Sequence, residues 1–221
     1  MTKHAIDLAR RAEIGARRRA RTRAQLLASA RALFGREGGR STRVEDICES
    51  AAIARGTFYN YFPSFEALQA ALFEDLSDRF DRAVHLVFEE LEGPAERTCA
   101  AIRFYMSRVV EDHQWGWGMV NTGMGIGFFP ASVSERVAET IRQGIEAGDF
   151  TLANAEAGRD ILLGAGLAAA TTLLSGEAAS DHIENVAAGV LQALGLPAER
   201  AWQLARADLP KLNYVGPPAP V

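Results

Sequence analysis

The 221-residue chain has only two cysteines, Cys48 and Cys99, about fifty positions apart. Neither forms part of a C-x-x-C pair, so neither a disulfide framework nor a zinc site is supported, and both read as small buried hydrophobes. The four histidines, His4, His85, His113 and His182, lack H-x-x-x-H spacing, and neither metal nor cofactor is expected. No 18-residue uncharged apolar run exists. The best candidate, Ile161 to Leu174, lies between Asp160 and Glu177, which reads as a buried helix rather than a membrane span. Lys3, Arg10 and Arg11 precede no apolar signal core, so a cytoplasmic protein is expected. No Ser/His/Asp, Cys/His or carboxylate pair stands out as catalytic. Gly-Met-Gly-Ile-Gly, residues 123 to 127, follows no strand and is no dinucleotide fingerprint. The chain does not read as an enzyme.

What the chain does contain is segregated charge. Residues 1–65 carry +7 and residues 66–221 carry −11, within a net charge of −4. The excess concentrates in ARRRARTR, Ala16 to Arg23. A solvated basic face would explain a mild excess; this density next to an aromatic motif points to nucleic acid.

Apolar spacing is helical almost throughout, with no alternating strand run, so the fold class is all-α. A first helix is predicted from Thr22, where T-R-A-Q has capping-box spacing, to a stop at Gly38-Gly39. A second starts at Thr42 on another such box, T-R-V-E, and runs to Ala51. Ala52-Ile53-Ala54 then leads into RGTFYNYF, Arg55 to Phe62, ended by Pro63-Ser64. Two short helices around so tight a turn form a helix-turn-helix. On a helical wheel Phe58 and Phe62 fall together, opposite Gly56, Thr57 and Asn60, with Tyr59 and Tyr61 flanking. The two phenylalanines therefore read as core anchors.

From Ser64 a longer helix presents Leu68, Leu72, Leu76, Phe80 and Val84 at steps of four, broken by Gly93-Pro94. Another helix follows to His113, then an irregular, glycine-rich aromatic segment, Trp115 to Pro130, with further helices near 133–147, 154–175, 181–194 and 198–207. The tail from 208 to 221 is proline-rich and reads as disordered.

Thr22 to Leu68, about a fifth of the chain, resembles the DNA-binding domain of tetracycline-repressor (TetR) type regulators. Both caps, the turn and the G-T-[aromatic]-Y-x-Y-F-P-S run occur in order. Three positions depart from the family pattern: Ala52 replaces the usual turn glycine, Ala54 the capping serine and Phe65 a lysine. Losing the cap costs about 1 kcal/mol. The resemblance implies a basic arm (1–21), a DNA-binding domain (22–65), and a helical effector-binding and dimerisation domain (66–207).

It further implies a third helix set in the major groove of double-stranded DNA. Gly56 lets the backbone approach, Thr57 and Tyr61 suit phosphate, and Tyr59 and Asn60 can reach base edges. Packing against neighbouring helices is the alternative for either tyrosine. Thr42 presents a hydroxyl at a helix N-terminus, with Arg43 beside it, and Arg55 adds a further cation. Arg17, Arg18, Arg19 and Arg21 can follow an adjacent minor groove, or remain a solvated tail.

For the remainder, the resemblance implies a homodimer and an unknown small-molecule effector, apolar or aromatic, that releases the protein from a palindromic operator as a repressor. Small residues Gly164, Ala168 and Thr172, and the apolar Val186, Val190, Leu191 and Leu194, suit a four-helix interface, with an intramolecular core as the alternative. Phe104, Tyr105, Trp115, Trp117, Met119, Met124 and Phe128 are the candidate effector pocket, with Trp115 to Pro130 as pocket wall, gate or core turn. Two other functions compete. An effector-independent architectural protein would lack an enclosed cavity; an enzyme with an appended helix-turn-helix would need convergent titratable groups there.

Overall fold

The helical pattern carries through to the structure, a computed structural model that describes residues 3–125 and 129–214. Among these residues every regular element is a helix: α1 (Lys3–Phe34), α2 (Val44–Ser50), α3 (Arg55–Phe58), α4 (Phe65–Val87), α5 (Pro94–Glu111), α6 (His113–Gly125), α7 (Ala131–Glu146), α8 (Ala155–Ser175), α9 (His182–Ala193) and α10 (Ala198–Arg206).

The first helix does not start at Thr22. The stretch before it is rich in alanine and arginine, both strong helix formers, so α1 propagates upstream to Lys3. Gln25, the expected capping partner, instead donates from Nε2 to the Ala51 carbonyl at 2.7 Å, fastening α1 to the turn after α2. Leu26, Ala30 and Phe34 are fully buried at steps of four and form its docking face. The helix ends at Phe34, ahead of Gly38, which adopts a left-handed φ of 72° before a short 3-10 turn.

The second cap also lies one residue later than expected. Arg43 is the N-cap, its N–H donating to the Asp46 carboxylate at 2.7 Å, while the Thr42 side chain is buried. In the turn that follows, Ala52 has φ 51°, a left-handed conformation usual for glycine. The third helix is one turn long, continued by Tyr61 and Phe62 N–H donating to the Phe58 carbonyl at 2.9 and 3.0 Å. Ser64 then caps α4, its Oγ accepting from Ala67 N–H at 3.2 Å.

Trp115 to Gly125, expected to be irregular, lies within α6. Two of its glycines, Gly116 and Gly118, serve close packing. A Cβ at Gly116 would stand 3.1 Å from Leu174 and 3.2 Å from Val109, and one at Gly118 would stand 3.0 Å from Leu76. Tertiary contact thus overrides the low helix propensity of glycine. Residues 126–128 lie outside the described ones, and with them Phe128.

Of the tail, Leu209, Leu212 and Tyr214 pack against the core, Tyr214 meeting Phe80 edge-on at 5.1 Å, and residues 215–221 lie outside the described ones. In α9 the apolar face, Val190 and Leu191 with the following Leu194, is buried inside the chain rather than offered to a partner. Conversely, α8 reads as a buried helix from sequence, yet only 28% of its most apolar stretch is covered. Gly164 and Ala168 lie on its exposed side.

Candidate nucleic-acid interface and effector cavity

Residues 55–62 divide as the wheel implies. Phe58 and Phe62 are buried, their rings 5.8 Å apart, and fix the single turn of α3 to the core. Arg55, Gly56, Tyr59 and Asn60 are exposed, and Thr57 and Tyr61 are half-buried. Tyr61 leans on the core, while Tyr59 remains 44% exposed. A Cβ at Gly56 would meet nothing within 4 Å, so packing inside the chain does not demand glycine there.

Arg55 is not idle in the free protein. Its guanidinium pairs with Glu45 of α2 at 2.8 Å and hydrogen-bonds the Tyr59 hydroxyl, which holds its pKa above the usual arginine value. Arg43 is exposed next to the N-terminus of α2, and Thr42 is turned inward. Arg17, Arg18, Arg19 and Arg21 lie on the exposed part of α1. Nothing in the spacing of the sequence announced the Glu45–Arg55 pair, which forms across the turn.

The second feature is a cavity of about 190 Å³ among α4, α5, α6, α7, α8 and α9. Its walls are apolar and aromatic: Phe73 and Val84 from α4, Tyr105 and Met106 from α5, Trp115 and Met119 from α6. Tyr105 packs at 5.9 Å from Trp115, and the Trp115 indole N–H is fixed by the Leu76 carbonyl at 2.9 Å.

Besides buried Ser77 and the groups at the mouth, polar side chains sit at two places. At one, the Tyr105 hydroxyl donates to one oxygen of Asp81, and Arg136 pairs with the other at 2.6 Å. Burial, with the Asp81 charge adding to it, holds the Tyr105 pKa well above the usual phenol value, so the hydroxyl stays a neutral donor. At the other, Thr98 is 2% exposed and its Oγ1 finds no hydrogen-bond partner among the described residues. His85, Phe88, Arg97, Arg136 and Thr140 also border a shallower outer cleft, which marks the mouth.

Of the sequence candidates, Tyr105, Trp115 and Met119 line this cavity. Phe104 is buried elsewhere on α5, because it is one residue out of phase with the lining face. Trp117 is off the lining face of α6 and packs against the core from another side. Met124 is exposed, its sulfur 3.8 Å from the Arg40 guanidinium. Asp81, Arg136 and Thr98 were missed. The first two are 55 positions apart and meet only once α7 has docked on α5 and α8, though Thr98, polar on an apolar helix face, offered a signal.

The connection between the two features is α6. On one side Trp115, Met119 and Val120 line the cavity. On another, Asn121 donates to the carbonyls of Phe34 and Arg36 at the end of α1, at 2.8 and 2.9 Å.

A helix-turn-helix joined in this way to a cavity-bearing helical body defines a one-component regulator architecture, and similarity to known proteins agrees. Residues 93–207 match the tetracyclin repressor-like C-terminal domain, and residues 26–72 match the tetR family of bacterial regulatory proteins. The chain belongs to the TetR family. Its fold is similar to that of RolR, whose complex with resorcinol has been solved, with 31% identity, a TM-score of 0.68, and coverage of 90% of this chain and all of that one. A tetR family regulator from a Shewanella species shares the fold at 20% identity and a TM-score of 0.63, over 80% of this chain and 99% of that one. The HTH-type transcriptional regulator UidR of Escherichia coli is 40% identical over 73 residues, a third of this chain (33%) and 35% of UidR. An uncharacterized HTH-type regulator of Mycobacterium tuberculosis is 29% identical over 59% of this chain and 61% of that one. The chain thus spans less than two thirds of these curated relatives' length.

Proposed function

We propose that the protein is a transcriptional repressor that binds a palindromic operator in double-stranded DNA as a homodimer and is released by a small aromatic effector bearing hydroxyl groups. The cavity carries this reading. About 190 Å³ suits a single substituted ring, since a cavity of roughly 150 Å³ accepts benzene, and is too small for a long acyl chain. The Asp81–Tyr105–Arg136 cluster and Thr98 supply hydrogen bonds to ring substituents within apolar walls. RolR, 31% identical, was crystallised with resorcinol, a ligand of this chemistry.

On the DNA side, Gly56, Thr57, Tyr59, Asn60 and Tyr61 form the reading surface, with Arg43 and Arg55 on phosphates. Arg55 exchanges Glu45 for phosphate on binding. The uncovered face of α8, with Gly164 and Ala168, suits a second copy of the chain. Ligand in the cavity bears on α6, and α6 on the end of α1, so binding alters the spacing of the two α3 segments from the roughly 34–36 Å that successive major grooves require. A tenfold release needs about 1.4 kcal/mol of coupling between the sites.

The test is selection from a random duplex library with the purified protein, followed by titration with resorcinol. A recovered palindrome, a dimer by light scattering, and release by resorcinol or another one-ring phenol are expected. Release by polar, non-aromatic molecules alone would overturn the effector class.

A further inference from the structure

We propose that the exposed arginine stripe on the N-terminal half of α1 lies along the phosphate backbone of double-stranded DNA, flanking the groove read by residues 55–61. This rests on the DNA-binding reading above but concerns a part of the chain outside the region matched to the family, which begins at residue 26.

Residues 13–21 of α1 are exposed without exception, so no packing explains why this stretch continues the helix. At about 100° per residue, Arg10, Arg17 and Arg21 fall within about 40° of one another, and Arg18 adjoins them. That face is opposite the one through which Leu26 and Ala30 dock. The point of departure is equally specific. The Arg23 guanidinium lies 5.2 Å from the centre of the Phe62 ring, and Gln25 bonds Ala51, so the helix leaves the body beside the recognition segment. Its other end rests on α6 through Asn121. The stripe therefore extends away from the effector cavity, on the side of α3.

Its charge demands an anionic partner. Arg17 and Arg21, and likewise Arg19 and Arg23, stand four residues apart, where like charges repel along a helix. The pairing of Arg17 with Glu13 at 2.7 Å is solvent-exposed and offsets little of this. A row of phosphates relieves the repulsion and releases counterions. The helical form also revises the minor-groove path that the sequence allowed. An α-helix is about 10–12 Å wide and the minor groove about 6 Å, so the stripe rests on the backbone at the groove's edge. From Arg10 to Arg23 it spans about 20 Å.

The experiment compares the full chain with the triple variant Arg17→Gln, Arg18→Gln, Arg21→Gln on the duplex selected by the full chain, with and without ten flanking base pairs. The melting temperature is expected to be unchanged, because all three side chains are exposed. The slope of log affinity against log salt is expected to become shallower by about 0.9 for each phosphate that the variant no longer neutralises, and only the full chain is expected to gain affinity from the flanks. If both proteins bind with the same salt slope, the stripe faces another partner, such as an acidic protein, and the proposal is overturned while the DNA reading stands. If the full chain selects no duplex, both fall.

Discussion

The side-chain amide of Asn121 lies 2.8 Å from the carbonyl oxygen of Phe34, the last residue of α1, and 2.9 Å from that of Arg36. The side chain is buried, and Gly39 packs so closely that a Cβ there would stand 2.9 Å from its nitrogen. One residue thus supplies the donors that the end of α1 lacks, from a helix whose neighbouring turn lines the cavity. Replacing Asn121 by alanine leaves two carbonyls without this donor, and a loss of about 1–3 kcal/mol is expected in urea unfolding. The decisive readout is coupling: the variant is expected to bind ligand normally yet show at least threefold less ligand-driven release of DNA. Full release in a destabilised variant would reduce Asn121 to an anchor.

Within RGTFYNYF, stability and DNA binding are expected to separate by residue. Phe58→Ala removes a fully buried ring and is expected to cost about 3–5 kcal/mol. Gly56→Ala meets nothing within 4 Å in the free chain, so its melting temperature is expected to hold or rise. Its affinity for duplex is expected to fall because the methyl group stands between backbone and DNA. Tyr61→Phe keeps the ring that packs on the core and removes only the hydroxyl offered to phosphate. Measured by thermal melting and fluorescence anisotropy, unfolding in all three variants would refute this division.

These residues show what the sequence made legible. Period and caps located α2, α8 and the start of α4 to within a residue or two, because apolar stripes and caps are local signals; α4 ends at Val87, ahead of the Gly93-Pro94 break expected to stop it. The wheel separated Phe58 and Phe62 from their exposed neighbours for the same reason. The start of α1 was misplaced because a capping spacing inside a run of helix formers looks like a terminus. The helicity of residues 115–125 was hidden because five glycines across Trp115–Pro130 read locally as irregular, whereas Gly116 and Gly118 answer to Leu174, Val109 and Leu76 from distant helices. The polar corner of the cavity was invisible, since Asp81, Tyr105 and Arg136 become neighbours only after three helices pack.

Ala52 offers a test of backbone strain at the departure from the family pattern. With φ 51°, its Cβ costs about 1–2 kcal/mol relative to glycine in the left-handed region, while glycine loses about 0.5–1 kcal/mol more through unfolded-chain entropy. Ala52→Gly is therefore expected to stabilise the helix-turn-helix by up to about 1.5 kcal/mol, and to leave the contacts of Arg55 to Tyr61 in place. Chemical denaturation of the two proteins checks the sign. A lower midpoint for the glycine variant would mean that the turn is unstrained in solution.

Thr98 provides a comparison in which stability and binding are expected to move in opposite directions. Its hydroxyl is buried against the cavity without a partner among the described residues, so Thr98→Val, which preserves shape, removes an unsatisfied group and is expected to raise unliganded stability by about 1 kcal/mol. A ring bearing two hydroxyls loses a hydrogen bond in the same variant, and its affinity is expected to fall about five- to tenfold, whereas a ring without hydroxyls is expected to bind unchanged. Tyr105→Phe serves as the contrast, because Tyr105 already donates to Asp81 and its loss is expected to lower stability rather than raise it. Calorimetric titration with resorcinol and with toluene, alongside thermal melting, separates the two roles. If Thr98→Val weakens neither ligand, the Thr98 end of the cavity does not contact the effector, and recognition rests on the Asp81–Tyr105–Arg136 corner alone.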